Sequence, residues 1–84
     1  MEEKQELLRA RIDELCKERG LSYYTLSCKS GVPLSTLMHI TDGNVKNPGI
    51  YTLVRLCGGM DVTLSEFFHT EAFDLLSRTA HLEE

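Results

Sequence analysis

The sequence predicts an all-α protein, and three observations carry that prediction. No stretch alternates apolar and polar residues over the length of a strand. Apolar residues recur instead at the three- and four-residue spacing of helical faces, first at Leu8, Ile12, Leu15 and Cys16. Between these runs stand residues that end and begin helices, among them Gly20, Ser22, Gly31 and Thr63. At 84 residues, with 42% hydrophobic and 26% charged, the chain has the size of one domain with a single small core. Folding buries only about two-thirds of the surface of an extended chain this short, which favours a partner subunit that covers more.

Each element has its own start and stop signals. Helix 1 is expected from about Glu3 to Arg19, with Gly20 as the left-handed residue that stops it. Ser22 is a good N-cap for a short helix 2 through Leu26 to about Lys29, broken by Gly31. Pro33 suits the first turn of helix 3, where a missing N–H costs nothing, and Val32, Leu37 and Ile40 form its inward stripe up to Gly43. Asp42 to Pro48, DGNVKNP, is dense in turn formers and reads as an exposed loop.

Helix 4 then starts near Gly49 with Ile50, Leu53, Val54, Cys57 and Met60 inward. Gly58 and Gly59 each weaken its last turn by about 1 kcal/mol relative to alanine, so that end should fray. Thr63-Leu64-Ser65-Glu66 has the spacing of a capping box and opens a short helix 5 that holds Leu64, Phe67 and Phe68. Phe73, Leu76 and Ala80 permit a sixth, amphipathic helix in the tail.

The three cysteines, Cys16, Cys28 and Cys57, have no C-x-x-C spacing and read as small buried hydrophobes in a reducing compartment. The charged run Glu2 to Glu6 and the absence of a long apolar segment make the cytoplasm the expected location. No Ser/His/Asp grouping, paired carboxylates, phosphate-cradling Gly-rich loop or metal-ligand spacing is legible. The expectation is therefore a protein that is not an enzyme, with no catalytic residue, cofactor, metal or small-molecule ligand.

Two short helices joined by a three-residue turn containing glycine form the unit that lays its second helix in the DNA major groove. Its demands are met at Leu26 between the helices, at small Ser27 where they cross, at Gly31 in the turn, and at Val32, Leu37 and Ile40 against the core. The run from Arg11 to Phe68 resembles the Cro and lambda-repressor-like helix-turn-helix domain, the XRE family. Arg11-Ile12, Leu15, Gly20-Leu21-Ser22, Leu26, Gly31-Val32, Ser35-Thr36-Leu37 and Ile40 carry the likeness. Gly43-Asn44, Asn47-Pro48, Leu53, Val62 and Leu64 to Phe68 continue it. The resemblance implies a compact five-helix lambda-repressor-like DNA-binding domain over residues 1–70, followed by an acidic tail over 71–84 with room for a short helix. It also implies a sequence-specific transcriptional regulator of the repressor kind, acting as a homodimer on double-stranded DNA.

Carried over residue by residue, the base-reading positions fall on Leu34, Ser35, Thr36 and His39. Family members often place Gln or Arg where Leu34 stands, and leucine offers only apolar contact to a thymine methyl, so a modest direct code is expected, supplemented by DNA shape. Phosphate contacts fall on Ser22, Tyr23 and Tyr24 at the start of helix 2, on Asn44, Lys46 and Asn47 in the loop, and on the N–H groups near Ile50 and Tyr51. Tyr23 stands where glutamine is common, with a hydroxyl that can donate to a phosphate.

Two departures are structural. Cys16 and Thr41 replace a common arginine–glutamate pair, and losing both partners strands no buried charge. Asp61 replaces a glycine after helix 4, which predicts a left-handed Asp61.

The formal net charge of −4 opposes DNA, yet the segment from Leu21 to Pro48 sets Lys29 and Lys46 against Asp42 alone and is slightly basic. The alternative on the same fold is a protein-interaction or antitoxin-like module. Phe67, Phe68, Phe73 and Leu76 exceed what a monomer needs and are the expected dimer surface.

Overall fold

The computed structural model describes residues 2–45 and 47–79, with side-chain surroundings from residue 6 onward. Every regular element among these residues is a helix: α1 (Glu2–Glu18), α2 (Tyr23–Ser30), α3 (Leu34–Thr41), α4 (Ile50–Met60), α5 (Leu64–Phe68) and α6 (Glu71–Thr79). The local signals act as their chemistry dictates. Ser22 caps α2 by accepting from the Thr25 N–H at 3.1 Å, and Gly31 ends it at φ 76°. Asp61 is left-handed at φ 60°, the non-glycine residue with positive φ among the described residues. Thr63 and Glu66 form a reciprocal capping box on α5.

The core is one cluster drawn from α1 to α5. Ile12, Leu15 and Cys16 of α1 meet Leu26, Val32, Leu37 and Ile40, closed by Leu53, Leu56, Cys57 and Met60 of α4, Val62 and Phe67. The inward face of α4 differs from the expected one. Leu53, Leu56, Cys57 and Met60 point in, while Ile50 and Val54 are exposed. The helix is apolar on both sides, so spacing alone could not choose between two apolar stripes.

Its C-terminal turn also differs. Helical geometry continues through Gly58 and Gly59 to Met60, and Gly59 is buried. A Cβ at Gly59 would stand 2.9 Å from Leu26 Cδ1 and from Ser30 Cβ, so glycine there lets α2 and α4 approach closely. Gly58 has nothing within 4 Å of that position.

Arg11 joins the two ends of the fold. Its Nε donates to the Phe67 carbonyl and its Nη2 to the Glu66 carbonyl, each at 2.7 Å, while Nη1 pairs with Glu14 at 2.8 Å. The guanidinium thus supplies a donor to the Phe67 carbonyl at the end of α5 and a second donor to the Glu66 carbonyl, which also accepts from the His69 N–H at 3.2 Å.

The aromatic residues expected at a dimer surface are used within the chain. Phe67 is fully buried, and Phe68 and Phe73 are packed against the core. Phe68 meets both other rings edge-on at centroid distances of 4.9 Å. This trio docks α6, whose Phe73 and Leu76 are half-buried and whose Leu75 is exposed. Ala80 lies outside the described residues.

Of the cysteines, Cys16 and Cys57 are buried as expected, whereas Cys28 is exposed on α2. Burial pushes both buried thiols up from their ordinary value, which keeps them protonated.

A candidate nucleic-acid interface on helix 3

Leu37 and Ile40 anchor α3 in the core and thereby fix which side faces out. Ser35 and His39, one turn apart, form the centre of the outward face. Leu34 lies on one flank, and Met38, one turn further, extends the same apolar edge; both are exposed. Thr36 sits on the other flank and is half-buried. Sequence reading passed over Met38, although its four-residue spacing from Leu34 was the signal that places it there.

Pro33 and Gly49, the N-cap residues of α3 and α4, make no side-chain hydrogen bond to the first turns. The opening N–H groups of both helices therefore stand uncapped by side chains, with the positive dipole end toward solvent. At α2 the Ser22 oxygen already accepts from Thr25, and its hydroxyl donates to Thr25 Oγ1 at 3.0 Å.

Two further expected phosphate ligands, besides Ser22, have other partners. The Tyr23 hydroxyl donates to the Asp13 carboxylate of α1. Desolvation, helped by that carboxylate, pushes the phenol up to about 12, so it holds its proton and spends it on Asp13. Tyr23 thereby ties α1 to α2 beside Thr41 and Cys16, where the family's ion pair is missing. Asn44 is folded back toward α3. Its backbone N–H donates to Asp42 Oδ1 at 3.0 Å, and its side-chain nitrogen lies 3.3 Å from Asp42 Oδ2 and 3.4 Å from His39 Nδ1. The side-chain amide of Asn44 thus already lies within reach of two neighbours, Asp42 and His39.

Tyr24, Asn47 and Tyr51 are exposed as expected of contact residues. Lys46 lies outside the described residues. No helix among the described residues is long and apolar enough to cross a membrane.

The family model described as a Cro/C1-type HTH DNA-binding domain matches residues 11–72, from the Arg11 clamp into the first turn of α6. No curated protein and no solved structure gives a match. The match spans well over half of the chain and contains both helices of the motif, their turn and every buried core residue, so this chain belongs to the Cro/C1-type helix-turn-helix DNA-binding domain family.

Proposed function

We propose that the protein is a sequence-specific repressor that sets α3 in the major groove of double-stranded DNA and binds palindromic sites as a homodimer in the cytoplasm. The observation that carries this reading is the division of α3, with Leu37 and Ile40 buried while Ser35 and His39 stand one turn apart in solvent on its outer face. Ser35, Thr36 and His39 supply hydrogen-bonding groups to base edges, and Leu34 with Met38 supplies an apolar edge for thymine methyls.

Tyr24, Asn47 and Lys46 hold the flanking phosphates, together with the N–H groups at the start of α2 just after Ser22 and at the start of α4 near Tyr51. Tyr23 supports this arrangement through Asp13 instead of touching DNA. With Asp42 beside His39, phosphate neutralisation by one copy is weak, and two copies on one site restore affinity. Half-sites about 34 Å apart would then receive the two recognition helices.

Selection of binding sites from random duplex DNA tests the reading. Enrichment of a palindrome, with affinity that falls steeply as salt rises, is the expected result. A purified, folded protein that enriches nothing and binds duplex DNA no better than a neutral protein would reject it.

A further inference from the structure

Leu34 and Met38 stand one turn apart on α3, 38% and 47% exposed, and neither packs against the core. The buried pair Leu37 and Ile40 fixes the inward direction of this helix. At about 100° per residue, Met38 and His39 then lie about 50° to either side of the outward direction. Met38 is thus as central to the outer face as His39, and Leu34 continues its edge toward the start of the helix. No charge stands among Leu34, Ser35 and Met38, and the Ser35 hydroxyl is the one strong hydrogen-bonding group of the three side chains.

This strip lies on the second helix of the motif, inside the stretch that matches the DNA-binding family. A polar base edge set against it would lose water and gain no partner, an unfavourable exchange. The apolar group that bases present in the major groove is the methyl on C5 of thymine. Cytosine methylated at the same carbon presents that methyl in the same place, beside its amino group, whereas uracil and cytosine carry only a hydrogen there. Residues four apart are separated by about 6 Å along a helix axis, and stacked bases by about 3.4 Å. The strip therefore has the length to cover the methyls of two neighbouring pyrimidines.

We infer that Leu34 and Met38 read the C5 methyl of pyrimidines, so that binding responds to methylation of cytosine as well as to thymine. This rests on the proposed placement of α3 in the major groove and deepens it, with Met38 as a specificity-determining residue and 5-methylcytosine as a second ligand of the strip. Methionine suits both ligands, because its unbranched, polarisable chain adapts to a methyl that stands beside either the thymine oxygen or the cytosine amino group. Taking one methyl out of water is worth about fourfold in affinity. The contact carries no charge, so that factor is independent of salt, although overall affinity falls as salt rises.

Fluorescence anisotropy on the duplex selected from random DNA tests the inference, with each thymine replaced in turn by uracil and each cytosine by 5-methylcytosine. The two sets of duplexes tell the two sources of the methyl apart. At one or two positions of a half-site the methylated base should bind about fourfold more tightly than its unmethylated counterpart, by the same factor at low and high salt. Leu34→Asn and Met38→Gln should each bring that preference close to unity at one position. Both changes fall at exposed sites, so helical circular dichroism and thermal unfolding should persist. Leu75→Asn, which alters an exposed apolar residue of α6, should leave every preference intact. A selected duplex whose affinity no methyl raises overturns the inference and leaves the DNA reading standing. So does a methyl preference that survives both α3 substitutions, or one that Leu75→Asn removes. If no duplex is bound at all, the DNA reading fails and the inference falls with it.

Discussion

Gly59 of α4 and Ser30 of α2 meet so closely that a single added methyl would stand 2.9 Å from Ser30 Cβ and 3.0 Å from its backbone nitrogen. Its neighbour Gly58 faces open space. Identical substitutions at adjacent positions should therefore act in opposite directions. Gly58→Ala gains helix propensity and should raise stability by up to about 1 kcal/mol. Gly59→Ala gains the same propensity but must push α2 away, and overpacking of this kind costs about 1–3 kcal/mol, so it should be destabilising. Urea unfolding of the two variants measures both signs. A stabilised Gly59→Ala would mean that the two helices separate at little cost.

Arg11 should be worth more than a surface charge. It makes two charge-assisted hydrogen bonds to main-chain carbonyls of α5, and bonds to charged groups contribute about 1.5–3 kcal/mol each before coupling between them is considered. Arg11→Met keeps much of the stem and removes the fork, and should destabilise by about 2 kcal/mol. Arg11→Lys should recover only part of this, because an ammonium cannot span both carbonyls with the geometry of a guanidinium. Equal stability of the lysine and arginine forms in thermal unfolding would show that charge near the end of α5, not bidentate bonding, is what counts.

These two contacts also mark where the sequence was legible and where it was not. Asp61, Gly31 and the Thr63–Glu66 box announce themselves because their causes lie within four residues. The outward placement of Ser35 and His39 was legible too, since Leu37 and Ile40 fix the phase of a short helix. Arg11 reaches a carbonyl 56 positions away, and no local pattern encodes that bond. Ile50 and Val54 were misplaced because α4 has two apolar stripes and periodicity cannot say which one meets the core. Phe68 and Phe73 read as surplus because a sequence does not reveal whether an apolar ring is covered by its own chain or by another.

The Tyr23–Asp13 contact should make stability fall at alkaline pH. Tyr23 is held up at about 12 from the ordinary 10.0, so the folded state binds this proton more tightly than the unfolded chain. Stability from this source is complete below the unfolded value and is lost as pH rises from about 10 through about 12. Tyr23→Phe removes the bond and should cost about 1 kcal/mol at neutral pH. It should also lose less stability than the wild type between neutral pH and pH values near 11. Parallel alkaline losses in the two proteins would assign the transition to another group.

Lys46 and His39 should separate affinity from selectivity. Lys46→Ala is expected to weaken binding almost equally on every sequence and to reduce the slope of log K against log salt by about 0.9, the value of one phosphate contact. His39→Ala should leave that slope unchanged and alter preference at one base position. If neither variant changes DNA affinity or selectivity, a different face of the domain binds.

The direction of the His39 preference is set by the groups around it. Asp42 is a carboxylate and can only accept, so the Asn44 group 3.3 Å from its Oδ2 must be the amide nitrogen. The same nitrogen lies 3.4 Å from His39 Nδ1, nearer than Asp42 Oδ2 at 3.8 Å, and where Nδ1 accepts from Asn44 the neutral ring carries its hydrogen on Nε2. In that tautomer, and on the proposed placement of α3, His39 would present a donor to the groove. A donor suits guanine N7 or O6, adenine N7 or thymine O4 and is opposed by the amino group of cytosine. Selection should show avoidance of cytosine at the base edge that His39 reaches. Where a purine is preferred there, its 7-deaza analogue should lose the advantage if N7 is the acceptor. Asn44→Ala frees the ring to take either tautomer, so it should blunt preference at that one position, and combining it with His39→Ala should add little. Uniform weakening by Asn44→Ala across all sequences would instead mark Asn44 as a phosphate ligand and leave the tautomer unassigned.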